Sequence, residues 1–170
     1  TVEENLILRP IGRVRSPFKN PSEAPHQGRE AGSEAVVEID AAYAEALDGI
    51  DDCESVVVLC WFHRSRRDLL RVHPRGDEDN PLRGVFATRS PLRPNPVGIY
   101  TAKILERDGT RLKLQGIDAF DVTPVIEIKP HVHRLDDLKT GPACRPGIFD
   151  LVFPSNRKER RRKKKWTTRT

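Results

Sequence analysis

The sequence predicts a mostly β protein: a small β-barrel with one or two peripheral helices and long proline-rich loops. Three observations lead there. Short β-branched or alternating segments recur along the chain, only one segment has a convincing helical composition, and prolines cluster in runs between the strand-like segments. There is no βαβ alternation and no G-x-G-x-x-G run, so a Rossmann-type dinucleotide site is not expected.

The elements follow in order. Leu6 to Val14 alternates loosely and reads as a first strand interrupted at Pro10. Arg15 to Gly32 holds Pro17, Pro21, Pro25, Gly28 and Gly32, so it reads as a long surface loop; loops of that length in compact domains are often functional. Glu34 to Ile39 (EAVVEI) is strand-like. Asp40 can N-cap a helix from Ala41 to about Leu47, with Gly49 as its stop signal. Ser55 to Phe62 (SVVVLCWF), the most apolar run, is short and β-branched, which predicts a central strand buried on both faces. Arg64 to Arg71 can form a helical turn, and Val72 to Arg83 reads as a polar loop. Ile99 to Leu105 alternates and leads through Asp108-Gly109, a hairpin signal, into Leu112, Leu114 and Ile117. Val125 to Ile128 is a last short strand before Pro130.

Charge divides the chain. The net charge is +5, yet residues 157–170 alone hold nine bases and one acid, leaving 21 bases and 24 acids elsewhere. The expectation is a mildly acidic domain over 1–154 and a basic, disordered tail over 155–170 that either tethers polyanions, RNA in particular, or only solubilises. No run approaches the roughly 20 apolar residues that cross a bilayer. Glu3 and Glu4 stand where a secretory signal would be basic. Cys53, Cys60 and Cys144 are odd in number and lack C-x-x-C spacing, which argues against a disulfide framework and a zinc ribbon. The expected location is cytoplasmic.

The densest chemical signal is Phe86 to Gly98 (FATRSPLRPNPVG). Pro91, Pro94 and Pro96 stiffen it, so Arg89, Arg93 and Asn95 can be held at low entropic cost. Guanidinium forks match a carboxylate or phosphate, and a carboxamide can read an adenine edge. A plain structural connector is the competing reading. In Gly116 to Pro130, Asp118 and Asp121 can accept from ribose hydroxyls or an amine; ordinary turn-forming aspartates are the alternative. His131-x-His133 would project from one face if extended, but Pro130 and the polar context read as loop; His26, His63 and His73 have no helical i, i+4 partner or matched cysteine spacing, so no metal is expected. His63 ends the apolar strand at an expected rim and is the histidine of most interest; a hydrogen-bonded rim histidine is the competing reading.

These segments together resemble the TsaA-like family, whose best-known member is tRNA methyltransferase O. The resemblance runs from Ile11 to about Val132 through Arg15-Ser16-Pro17-Phe18, Pro25-His26-Gln27, Trp61-Phe62-His63 and Gly84 to Pro91. It continues through Arg93-Pro94-Asn95-Pro96-Val97-Gly98, Asp121-Val122-Thr123-Pro124 and Ile128-Lys129-Pro130. It implies a β-barrel methyltransferase that uses S-adenosylmethionine, a homodimer with the cofactor near the subunit interface, and methyl transfer to N6 of threonylcarbamoyl-adenosine beside the anticodon of tRNA.

By position, the resemblance implies cofactor binding by Pro25, His26, Gln27, His63, Arg64, Arg89, Ile99, Asp118, Ala119, Phe120 and Asp121. Arg93 and Asn95 are candidates for substrate binding, and Asp121 and His63 for the proton acceptor. This chain departs from the family pattern in four places: His26 replaces Arg, Tyr100 a smaller residue, Val122 a Gly and His131 a Tyr. Two rival functions are methyl transfer to a small molecule or another nucleotide, and a noncatalytic module that binds RNA or senses the cofactor.

Overall fold

The molecule is known from a computed structural model that describes residues 7–20 and 32–136. Pro25, His26, Gln27 and the basic tail 155–170 lie outside the described residues. The strands are β1 (Gly12–Arg15), β2 (Glu34–Ile39), β3 (Ser55–Trp61), β4 (Arg71–Val72), β5 (Arg83–Gly84), β6 (Val97–Asp108), β7 (Arg111–Gln115) and β8 (Pro124–Pro130). Six of them form a closed barrel in the order β1-β2-β7-β6-β3-β8, every described pairing being antiparallel. Strands β4 and β5 make a separate two-stranded sheet.

Period-two patterning explains the barrel. In β3, Val56, Val58 and Cys60 point inward and are fully buried, while Val57, Leu59 and Trp61 are half-buried on the outer face. The inner face joins Val14, Val37, Leu112, Leu114 and Val125 in one core. Each such side chain contributes about 1.5–3 kcal/mol by leaving water. Gly12 is set by close approach: a Cβ there would lie 2.1 Å from the Glu38 carbonyl oxygen across the β1–β2 pair.

The mostly β expectation holds, and β2 has the bounds read from the sequence. Several local expectations need correction. Strand β1 starts at Gly12, residues 7–11 having no regular structure. Strand β3 is central, between β6 and β8, but only one of its faces is buried. Ala41–Leu47 is a 3-10 helix kinked at Tyr43 (φ −113°, ψ 15°), and Asp40 caps it through its backbone carbonyl alone. Arg64 to Arg71 forms no helix; its last residue begins β4. The polar loop expected over 72–83 contains a 3-10 turn at Pro74–Gly76 and supplies part of the β4–β5 sheet. Among the described residues the single α-helical turn, α1, is His133–Asp136.

Candidate functional site

The end of β3 is the fixed point. Trp61 pairs with Val97 and Cys60 with Val125, so the chain leaving β3 meets the starts of both β6 and β8. Phe62 N–H donates to the Pro96 carbonyl at 2.8 Å. Gly98 follows in β6, and the Phe62 ring occupies the space its side chain would need. The same ring meets Tyr100 edge-to-face, with centroids 6.3 Å apart. Beyond Phe62, His63 and Arg64 are exposed; Arg64 Nη1 donates to the Lys19 carbonyl at 3.3 Å, which ties this end of β3 to the exit of β1.

Residues 118–121 arrive at the same end of the barrel. Ser16, just past β1, organises them: its Oγ donates to the Ala119 carbonyl at 2.7 Å and its N–H to Asp121 Oδ1 at 3.4 Å. The Asp121 N–H donates to the Phe18 carbonyl at 2.7 Å. Ala119 is buried, whereas Asp118, Phe120 and Asp121 are half-buried. Val122 then takes φ 59°, the left-handed region, so that its N–H reaches the Val14 carbonyl at 2.9 Å.

Asp118 faces a polar group inside the barrel. Tyr100 hydrogen-bonds to it; burial first, then the charge of Asp118, holds the phenol above its ordinary range. Burial likewise pushes the Cys60 thiol up to about 12 from 9.0, with Asp118 as the second cause. A thiol so placed is a packing group.

The proline-rich loop treats its two arginines differently. Arg93 donates to three carbonyls, with Nε to Ser90 at 2.9 Å and Nη2 to Val85 at 2.8 Å and to Thr88 at 2.5 Å. Thr88 and Ser90 hydroxyls accept from the backbone two residues on. The loop is therefore held by its own side chains, and Arg93 is its staple. Arg89, between those two hydroxyl residues, is exposed. Asn95 is exposed too, its carbonyl accepting from Val97 N–H at 2.8 Å.

The structure thus brings His63, Arg64, Asn95 and residues 118–121 to one end of the barrel. Ile99 lies elsewhere, 55% exposed on the outer face of β6 opposite Leu59. Among the described residues no group of three or more His, Cys, Asp or Glu side chains could hold a metal ion.

Residues 13–137 match the family described as the tRNA-methyltransferase O N-terminal domain. The chain belongs to this family. Among similar proteins are two named "Probable S-adenosyl-L-methionine-binding protein". The one from Archaeoglobus fulgidus is 47% identical over 150 residues, covering 88% of this chain and 40% of that protein. The one from Methanothermobacter thermautotrophicus is 47% identical over 133 residues, covering 78% of this chain and 95% of that protein. Two crystal structures of TrmO, one from Pseudomonas aeruginosa, superpose at TM-score 0.67 with 34% and 32% identity. Each match covers 81% of this chain and 62% and 60% of the solved chains, respectively. This chain therefore spans less than two thirds of several of the proteins it matches, between 40% and 62% of their length.

Ser16 is the residue whose part the sequence reading missed. It stands in the Arg15-Ser16-Pro17-Phe18 segment, whose only signal was the resemblance. The pairing of Phe62 with Gly98 was equally invisible, since nothing local links a ring to a glycine 36 positions later.

Proposed function

We propose that this chain is an S-adenosylmethionine-dependent methyltransferase acting on N6 of threonylcarbamoyl-adenosine next to the anticodon of tRNA. The observation that carries the reading is the convergence of the carboxylates of 118–121 with His63 and Arg64 at one end of a barrel of the TrmO family. Membership in that family and the names of the relatives support the cofactor.

The residues present fit S-adenosylmethionine chemically. Asp118 and Asp121 are half-buried carboxylates suited to an ammonium or to ribose hydroxyls, and Phe120 between them offers an apolar face. Arg89, left exposed by a loop that is otherwise self-bonded, suits a carboxylate. His63, Arg64, Ala119 and Ile99 complete the set, with Pro25, His26 and Gln27 from outside the described residues. When bound, the cofactor supplies an electrophilic methyl on a sulfonium. The protein's task is alignment at near-attack distance and exclusion of water. Asp121 and His63 are the candidates for accepting the proton lost by the attacking nitrogen, and bulk water would also suffice after transfer. Asn95 and Arg93 are the candidates for substrate contact; Asn95 is exposed, whereas Arg93 already donates to three backbone carbonyls.

A homodimer fits the outer face of β3 and β6, where Val57, Leu59, Trp61 and the exposed Ile99 stand together. Action on tRNA carries a cytoplasmic location with it, and the basic tail adds salt-sensitive affinity.

The test is incubation with methyl-labelled cofactor and tRNA that carries threonylcarbamoyl-adenosine but lacks its N6-methyl group. Label should enter only that tRNA. Cofactor binding without label transfer would redirect the reading to another acceptor, and absence of cofactor binding by calorimetry would refute it. Arg89→Ala should weaken cofactor affinity by about tenfold, the loss of one charge-assisted contact.

A further inference from the structure

Tyr100 carries no assigned part in the candidate site, yet it touches both halves of it. On β6 it shares the inward face with buried Gly98 and Ala102, lies opposite Val58 of β3 and packs against the barrel core. Its ring meets Phe62 edge-to-face, and His63 and Arg64 directly follow Phe62. Its hydroxyl donates to the carboxylate of Asp118 in the acidic loop. One side chain therefore spans from the end of β3 to residues 118–121.

Packing does not account for the hydroxyl. A phenylalanine at position 100 would make the same ring contact with Phe62, whereas a phenol turned into the barrel needs an acceptor or costs stability. The acceptor here is a charged group on the loop assigned to the cofactor. Ile117 and Ala119, on either side of Asp118, are buried, so the loop backbone is seated in the core. That leaves the two side-chain torsions of Asp118, which the phenol fixes. A hydrogen bond to an ionised acceptor is roughly twice as strong as a neutral one. A carboxylate has about four acceptor sites, so one phenol leaves capacity for the ammonium or the hydroxyls of a ligand.

We propose that Tyr100 is a positioning residue: its hydroxyl, braced by the ring contact with Phe62, holds the Asp118 carboxylate in the orientation that receives S-adenosylmethionine. The inference deepens the methyltransferase reading and rests on it. Fixing a side chain during folding removes its ordering cost from the binding step. The role of the phenol is orientation, exerted through Asp118.

The test is a double-mutant cycle on calorimetric S-adenosylmethionine affinity in the full chain, with Tyr100→Phe, Asp118→Ala and the two combined. Tyr100→Phe keeps the ring and should weaken binding about three- to tenfold, the ordering cost of one side chain. Asp118→Ala should weaken it further, and adding Tyr100→Phe to Asp118→Ala should cost nothing more. That loss of additivity is the deciding readout. A phenol that only stabilised the fold would shift the urea midpoint and leave the affinity of the folded protein unchanged. Asp118→Asn serves in the cycle should the alanine variant unfold or bind too weakly to measure, and a full-sized Tyr100→Phe loss on that background overturns the positioning role. Wild-type affinity in Tyr100→Phe, or losses that add in the cycle, likewise overturns it, while cofactor binding by wild type keeps the methyltransferase reading standing. Wild type that binds no S-adenosylmethionine overturns that reading and the positioning role together.

Discussion

The ring of Phe62 fills the place where a side chain on Gly98 would begin: a Cβ there would lie 2.2 Å from Phe62 Cζ and 2.8 Å from both Cε atoms. Because Phe62 immediately precedes His63, the absence of one methyl group fixes where the chain leaves β3. Gly98→Ala should destabilise the protein by about 1–3 kcal/mol, the usual cost of overpacking. Urea unfolding measures it, and Phe62→Leu in the same chain should recover part of the loss. A Gly98→Ala protein of unchanged stability would mean that the ring moves away freely.

Val122 holds a left-handed conformation at φ 59°, which a β-branched residue adopts at a cost of about 1–2 kcal/mol. Glycine has no such cost but loses about 0.5–1 kcal/mol through the greater freedom of its unfolded chain. Val122→Gly should therefore raise stability by up to about 1 kcal/mol, or Tm by about 2–4 °C, in thermal unfolding. A fall in Tm would show that the side chain, 38% exposed, contributes packing that outweighs its strain.

Tyr100 and Cys60 make stability depend on alkaline pH. Both folded-state pKa values are raised, chiefly by burial, so the folded chain keeps protons that the unfolded chain releases. Their contribution is complete below the unfolded values and falls as pH rises, from about pH 9 for Cys60, whose folded value is about 12. The slope should approach ~1.4 kcal/mol per pH unit for each group that titrates. Urea unfolding between pH 8 and 11 measures it. Cys60→Val should remove the cysteine portion, and a pH-independent wild type would contradict the burial of both groups. At pH 8 a thiol reagent should label half-buried Cys53 well before Cys60.

Arg93 and Arg89 should separate by assay. Arg93→Ala leaves the Val85, Thr88 and Ser90 carbonyls without their guanidinium donor and should cost about 2 kcal/mol of stability. Arg89→Ala should leave the unfolding midpoint within about 0.5 kcal/mol of wild type, as surface substitutions do. Equal losses of stability in the two variants would contradict the division of roles.

Elements governed by local pattern were legible. EAVVEI alternates inward and outward and became β2 at its expected bounds, and Asp108-Gly109 joined β6 to β7 as a hairpin. Leu8 continued the alternating pattern, yet residues 7–11 join no strand, so β1 was expected too early. Composition could not distinguish an α-helix from the 3-10 helix of Ala41–Leu47, because the kink at Tyr43 leaves no mark in residue type. The candidate residues were nameable from motif, but their assembly was not. Ser16 reaches Asp121 across 105 positions, and that contact exists only because β1 and β8 are neighbours. Arg89 and Arg93 look alike in sequence; only the positions of three carbonyls decide which one turns inward.

The pairing of β1 with β8 covers two residue pairs, Gly12 with Val125 and Arg13 with Pro124, while β3 and β6 share seven. This short seam is the natural zip of the wall, and Ser16 hangs from its end with the acidic loop attached. Whatever grips that loop also clasps the zip, so a small ligand at the rim would slow the breathing of the whole wall. Occupancy of the site and integrity of the fold would then rise and fall as one quantity.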